Sequence, residues 1–382
     1  MYNALTKFSD SVKAINMSVN ALVEQLIRPE IRALQAYPVG KAEGMIKLDA
    51  MENPFRWPED MISEWQSLLA DCALNRYPNP VAPEVVAGLR EAMQVPDKHE
   101  VLLGNGSDEI IQLLAMAVAQ PGACVLAPEP GFVMYKMIAT FVGIDYCGVP
   151  LNDNFSLNRD AMLAAINEKK PALIFLAQPN NPTGNLWAED DLVAIIEASN
   201  TADHKGLVVL DEAYLPFSSR NHLSWLDRFD NVLVMRTLSK VGLAGLRLGM
   251  LFGRKEWLSE LDKIRMPYNI NVLTQASAAF ALKHYDVLMQ QCDVLKSERE
   301  KMHGKLSELG FSAFDSEANF ILARVPEGKV ARNIFEALKQ ENILIKCTDG
   351  AHPLLAKTLR FTVGAPEENI ALYAALEKVL AA

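Results

Sequence analysis

Between about residues 46 and 270 the chain repeatedly sets a short, continuously apolar run between stretches of helical periodicity. No other feature limits the possible folds as much. The runs are Cys124–Ala127, Leu173–Ala177, Leu207–Leu210, Val232–Met235 and Leu248–Phe252. A strand that is apolar at every position has no solvent face, so it belongs in a sheet covered on both sides, the usual setting of parallel strands. Helical segments lie between the runs. One begins near Gly106-Ser107 and carries Ile110, Ile111, Leu113, Leu114, Ala117 and Val118 on a broad face, and another is Glu189–Ala198. The expected architecture is α/β, with a large domain built on a mostly parallel central sheet covered by helices.

The pattern changes near residue 271. A long helical stretch, Val272–Leu306, is followed by strand-like segments at Asn319–Arg324, Ile343–Lys346 and Lys357–Val363, with helices at Val330–Gln340 and Glu367–Leu380. This predicts a smaller α+β domain over 271–382 beside a large domain over 46–270. Residues 1–45 read as a helical arm with an irregular stretch around Tyr37-Pro38-Val39-Gly40, expected to pack with the small domain and a dimer partner. Repeats and flexible linkers are missing from the sequence, so the two domains are expected to pack closely.

The formal net charge is −10 and the basic residues are dispersed, which argues against a nucleic-acid-binding stripe. No apolar run approaches the ~20 residues that span a bilayer. The opening MYNALTKFSDSVKAIN has no signal-peptide core, so a soluble, cytoplasmic protein is expected. Five scattered cysteines without a CxxC pair, and histidines without HxxxH spacing, predict reduced thiols and no metal site.

Three of the apolar runs end in polar clusters. Leu173–Ala177 leads into Gln178-Pro179-Asn180-Asn181-Pro182-Thr183-Gly184, Leu207–Leu210 into Asp211-Glu212-Ala213-Tyr214, and Val232–Met235 into Arg236-Thr237-Leu238-Ser239-Lys240. Ligands of open parallel sheets bind beyond the carboxyl ends of the strands. Asn181, Asp211, Tyr214, Ser239 and Lys240 should therefore converge on one crevice. Gly104-Asn105-Gly106-Ser107-Asp108-Glu109 adds glycines before a helix start, where free amides can meet an anion. It is neither a dinucleotide fingerprint nor a GxxxxGK[ST] phosphate loop. Taken singly, each residue has an ordinary structural role: Ser107 an N-cap, Asp211 a turn cap, Asn181 a pre-proline turn residue, Tyr214 and Phe132 core packing, Lys240 and Arg247 solvated cations.

In this order, the pieces resemble the fold-type I, pyridoxal-phosphate-dependent aminotransferases of the class I/II branch. The resemblance runs from Leu48 to the C-terminus. It rests on TLSK at Thr237–Lys240, GLAGLRLG at Gly242–Gly249, and the upstream NNPTG and DEAY. It implies that Lys240 holds pyridoxal 5'-phosphate covalently through its amine, and that Asp211 keeps the pyridine nitrogen protonated. Asn181 and Tyr214 would bond the phenolic oxygen, and Phe132 would stack on the ring. Gly106, Ser107, Asp108, Ser239 and Arg247 would hold the phosphate, joined by Tyr77 from the neighbouring subunit of a homodimer.

Within that branch the sequence is most similar to the histidinol-phosphate aminotransferases, through Leu48–Pro54 (LDAMENP), Arg76-Tyr77-Pro78, Asp315–Arg324 (DSEANFILAR) and Leu359–Gly364 (LRFTVG). This implies a ping-pong exchange of an amino group between histidinol phosphate and 2-oxoglutarate, with Lys240 as the base at the substrate Cα. Arg360 would grip the substrate phosphate or co-substrate carboxylate, with Tyr37, Asn53, Asn319 and Lys346 as further substrate contacts. The sequence departs from the pattern at Lys346, where arginine is common, and at Met51, where a polar residue is common. An aromatic amino-acid aminotransferase and a threonine-phosphate decarboxylase fit the same motifs. A pyridoxal-phosphate-binding regulator would carry a DNA-binding module, which the short stretch before the arm and the acidic net charge give no reason to expect, and a non-catalytic homologue leaves the polar constellation unexplained.

Overall fold

A computed structural model of the chain describes residues 18–36, 40 and 42–381. They fall into two units, residues 1–40 and 41–382. The first holds two short helices, Val19–Leu26 and Pro29–Arg32. Ser18 caps one by accepting the Ala21 amide at 3.2 Å, and Pro29 opens the other, where an amide has no helical partner. Tyr37 lies outside the described residues.

In the second unit the strands are β1 Ile46–Lys47, β2 Glu100–Asn105, β3 Cys124–Glu129, β4 Asp145–Pro150, β5 Leu173–Ala177, β6 Leu207–Asp211, β7 Val232–Thr237 and β8 Leu248–Gly253. Those that follow are β9 Ser312–Ala313, β10 Phe320–Arg324, β11 Ile343–Leu344, β12 Lys346–Cys347 and β13 Thr358–Thr362. Seven of them form the large sheet in the order β2-β8-β7-β6-β5-β3-β4. Its apolar runs are continuous because each face is buried in a separate core. Ile174, Leu176, Val208, Leu210, Val232 and Val234 point into one, while Leu173, Phe175, Leu207, Val209, Leu233 and Met235 point into the other.

β3, β4, β5, β6 and β7 run parallel, as the alternating pattern predicts. β8 does not. It pairs antiparallel with both β7 and β2. The reason is the connection: Leu238–Arg247 holds only tight helical turns, whereas a parallel crossover needs about a dozen residues or more. The chain has to return beside β7 in the opposite sense. Two edge strands, β2 and β4, carry mixed burial and were not evident from an apolar run.

The smaller sheet is antiparallel, in the order β12-β13-β10-β9. The expected strand over Ile343–Lys346 is divided, because β11 pairs with β1 while β12 pairs with β13. The expected single helix over Val272–Leu306 is two, Val272–Lys283 and Tyr285–Glu308, separated at His284 (φ −114°, ψ 31°). The first is buried against the helices Glu59–Ala70 and Pro83–Met93. The second turns a stripe containing Leu288, Cys292, Leu295, Met302 and Leu306 elsewhere, partly toward β9 and β10. One straight helix cannot face both sets of partners. Among the described residues, no helix is long and apolar enough to cross a membrane. All five cysteines are free thiols.

β8 approaches the helix Ser107–Val118 so closely at Gly249 that a Cβ there would lie 2.6 Å from the Gly106 carbonyl carbon and the Ser107 amide nitrogen. Backbone atoms cannot swing aside as a side chain can. Gly249→Ala is expected to lower the stability of the cofactor-free protein by about 1–3 kcal/mol, seen in thermal denaturation as a fall of a few degrees. An unchanged melting temperature would show that the helix start is not pinned by this contact.

Candidate active site

The parallel strands β3, β5, β6 and β7 end at one edge of the large sheet, and β8 starts there. The reversal through Leu238–Arg247 therefore places Ser239, Lys240 and Arg247 beside the ends of β5 and β6. A cavity of about 350 Å³ opens at this edge, lined among others by Phe132, Asn181, Asp211, Tyr214, Lys240 and Arg247.

One end of the cavity is built to meet an anion. Gly106 has φ +79°, and its missing side chain leaves room for Arg247, whose Nη2 would lie 2.6 Å from a Cβ there. The helix beginning at Ser107 aims its first, unbonded amides at the same place. Arg247 is held in the left-handed region, φ 52°, and pairs with Asp108 at 3.3 Å. Ser239 bonds Thr237 at 2.9 Å, and Thr237 in turn donates to the Leu248 carbonyl at 3.1 Å, which closes the turn between β7 and β8.

Asp211 is the last residue of β6 and is buried. Its Oδ2 accepts the Tyr135 hydroxyl at 2.6 Å and its Oδ1 the Ala213 amide at 3.0 Å. Burial pushes its carboxyl up to about 6, against the lowering effect of these two hydrogen bonds. Glu212, the next residue, turns to the opposite face of the sheet. It accepts Arg236 Nε at 2.8 Å and lies 2.9 Å from His222 Nδ1, all three being buried. Adjacent acids thus occupy separate settings, one enclosed in an ion pair and one facing the cavity.

Lys240 reaches into the cavity with its Nζ 3.4 Å from the Ala50 carbonyl and 5.6 Å from the centre of the Tyr214 ring. Burial, and then the positive charge of Arg360, lower its amine to about 8. The loop after β5 is held by its own bonds: Asn180 donates to the Pro130 carbonyl at 3.0 Å and to Thr183 at 2.8 Å. It presents Asn181, whose amide nitrogen donates to Tyr214 Oη at 3.1 Å. On the carbonyl side, Asn181 accepts Arg360 Nη1 at 2.6 Å, and Arg360 Nη2 donates to the Asp49 carbonyl at 2.8 Å. Arg360 reaches this place from the middle of β13 and packs over Phe320.

Of the residues expected from the sequence, Ser107, Asp108, Phe132, Asn181, Asp211, Tyr214, Ser239, Lys240 and Arg247 all line the cavity, with Gly106 as the cap of the adjoining helix. Arg360 joins through Asn181. Asn319 donates to the Met51 carbonyl at 3.0 Å, and so supports a cavity residue that is itself left-handed, φ 53°. Asn53 donates to the Val241 carbonyl at 3.1 Å and to Gln291 at 3.2 Å. Lys346 lies opposite Arg360 in the β12–β13 register and is partly exposed. Tyr77 is 81% exposed and stacks on Tyr268 at 4.6 Å. Sequence reasoning gave no role to Tyr135, to Thr237, or to Glu52, a cavity carboxylate paired with Lys47 at 2.5 Å. Tyr135 was within reach: it follows Phe132 by one helical turn and shares its face.

Comparison with known proteins agrees with this geometry. A family model described as aminotransferase class I and II matches residues 43–376. The chain is 52% identical to histidinol-phosphate aminotransferase 2 of Cupriavidus pinatubonensis, covering 91% of this chain and 95% of that protein. It is 50% identical to histidinol-phosphate aminotransferase 1 of Ralstonia nicotianae, covering 93% and 94%. Among solved structures, histidinol-phosphate aminotransferase from Sinorhizobium meliloti, in complex with pyridoxal-5'-phosphate, superposes with a TM-score of 0.82 at 25% identity, covering 93% of this chain and 98% of that one. The lysine, the buried aspartate and the asparagine–tyrosine pair around one cavity, together with a match over most of its length, make the chain a member of the class I and II aminotransferases.

Proposed function

We propose that the protein transfers the amino group of L-histidinol phosphate to 2-oxoglutarate, giving imidazole acetol phosphate and glutamate, with pyridoxal 5'-phosphate as cofactor. One observation carries the reading: the amine of Lys240, the carboxylate of Asp211 and, through Asn181, the guanidinium of Arg360 are brought to one cavity of about 350 Å³. Relatives about 50% identical over nearly their whole length carry the name histidinol-phosphate aminotransferase, which supports the choice of substrate.

The residues present fit the cofactor. Among the described residues, the donors that meet the buried carboxylate of Asp211 are the neutral Tyr135 and Ala213, and it suits a protonated ring nitrogen. The helix start at Gly106-Ser107-Asp108, with Ser239 and Arg247, suits a phosphate. Phe132 offers a ring face, and Asn181 and Tyr214 offer donors for a phenolic oxygen. Bound there, pyridoxal phosphate supplies an electron sink for the substrate's Cα–H electrons and a carrier for the amino group.

The chain's own groups do the rest. With its amine lowered to about 8, roughly a tenth of Lys240 is neutral at pH 7, enough to serve as covalent anchor and as the base that moves the Cα proton. Arg360, held by Asn181 and the Asp49 carbonyl, is oriented in advance to receive the phosphate of one substrate and the carboxylate of the other. Lys346, Asn53 and Asn319 complete the proposed substrate side.

The active form is proposed to be a homodimer in which Tyr77 reaches the neighbouring subunit's cofactor phosphate. Its exposure supports this, as do the exposed Leu74, Val81 and Met266. Five free thiols fit a reducing compartment such as the cytoplasm.

Lys240→Ala is expected to slow both half-reactions by about 10³-fold or more, followed as the change in the cofactor's visible absorbance on adding substrate. Near-normal turnover would remove Lys240 from its role. Capture of pyridoxal phosphate by the cofactor-free protein needs the neutral amine, so its rate should rise about tenfold per pH unit below 8 and level off above it, measured by stopped-flow absorbance. A rate flat between pH 6 and 8 would contradict the lowered amine. The substrate is tested by adding L-histidinol phosphate to the holoenzyme without any oxo acid, with phenylalanine and tyrosine at matched concentration. Faster loss of the visible band with histidinol phosphate supports the assignment. Equal or faster loss with the aromatic amino acids overturns it.

A further inference from the structure

We propose that Tyr135 is a positioning residue, whose hydroxyl fixes the orientation of the Asp211 carboxylate and holds its charge ready for the cofactor's ring nitrogen. The inference rests on the reading of Asp211 given above. Tyr135 sits in the helix Val133–Val142, one turn after Phe132, and is buried to 2% exposure. Its ring lies flat on Phe175 of β5, centroids 4.4 Å apart and planes 4° from parallel, and meets Phe132 edge-on at 5.5 Å. Packed against both rings and buried, the ring has little freedom to swing. It can therefore deliver its hydroxyl to one point, Asp211 Oδ2 at 2.6 Å.

The Ala213 amide holds the other carboxylate oxygen at 3.0 Å, so both oxygens are fixed and rotation of the carboxyl is blocked. The direction of the bond matters as well. Burial, followed by the Asp211 charge, raises the phenol well above its ordinary range, so that Tyr135 remains a donor at every working pH. A donor stabilises the ionised carboxylate and opposes the upward pull of burial on Asp211. The other charged or titratable groups acting on this pair are Asp108 from the helix after β2, Glu212 and Tyr214 after β6, and Tyr146 of β4. Lys240 lines the same cavity.

Tyr135→Phe removes the hydroxyl and keeps the stack. In the cofactor-free protein, infrared titration of the carboxyl band that Asp211→Asn abolishes should move upward by about one pH unit in Tyr135→Phe. In a separate titration with pyridoxal phosphate, Asp211→Asn should weaken binding by about a hundredfold and Tyr135→Phe by about tenfold. Added to Asp211→Asn, Tyr135→Phe should change binding by less than about twofold, because the hydroxyl acts only through that carboxylate. Unchanged binding and an unmoved carboxyl band in Tyr135→Phe, while Asp211→Asn weakens binding, would overturn the role of Tyr135 alone. Unchanged binding in Asp211→Asn would overturn the reading of Asp211 and this inference with it. Should Tyr135→Phe melt too low to assay, 3-fluorotyrosine at position 135, a stronger donor of the same shape, should move the carboxyl band downward. An upward or absent movement would overturn the proposal.

Discussion

Asp211 stands at the end of the middle strand of a seven-stranded sheet, where water cannot solvate its charge. Removing a carboxylate from water costs several kcal/mol unless something replaces the lost hydration. The chain solves this problem twice in succession and differently each time. Glu212 is answered from within the fold by Arg236, with His222 at the same carboxylate. Asp211 is answered by Tyr135 and the Ala213 amide, neither of which carries a positive charge. The first solution locks β6 to β7, and the second leaves a charge facing a cavity. The loop that carries Asn181, the tight reversal that carries Lys240, and the helix start at Ser107 all gather around that second carboxylate.

Much of this could be read from residue order alone. Runs apolar at every position, such as Leu173–Ala177 and Leu207–Leu210, announced strands buried on both faces, and polar clusters directly after them announced the sheet edge at which the cavity opens. The edge strands β2 and β4 were harder to see, because an edge has one covered side and the composition that follows is mixed. The direction of β8 was written in the length of the segment before it, yet its apolar pattern resembles that of any parallel neighbour. The break at His284 depends on which partners the two flanking helices meet, and no local pattern encodes that. Tyr135 and Thr237 were overlooked because their work is done on other site residues, and a tyrosine in an apolar helix looks like ordinary core. Asn53 belongs to a phrase shared with relatives, but its amide is turned to the Val241 carbonyl, a contact spanning 188 positions that local reasoning cannot anticipate.

The small sheet and the large sheet are tied together by the segment around residues 46–53. Its β1 pairs with β11, the Leu48 carbonyl accepts the Thr362 amide at 3.1 Å, and Met51 and Glu52 then enter the cavity wall. The stretch therefore pairs at one end with β11 in a two-stranded sheet, touches β13 of the small sheet through Leu48, and at the other end belongs to the site. Asn319 and Thr362 fasten it by bonding the Met51 carbonyl and amide at 3.0 and 3.1 Å, holding a left-handed residue that an unsupported methionine would abandon.

Asn181 stands at a junction with its own consequence. One side of its amide group accepts from Arg360 and the other donates to Tyr214, so polarisation runs continuously from β13 to the phenol beside Lys240. An anion arriving at Arg360 competes with Asn181 for the guanidinium's protons, and whatever the amide loses on that side it ceases to pass on to Tyr214. In the proposed reaction, occupancy at Arg360 would thus be felt at the phenol beside Lys240, through the amide of a single side chain.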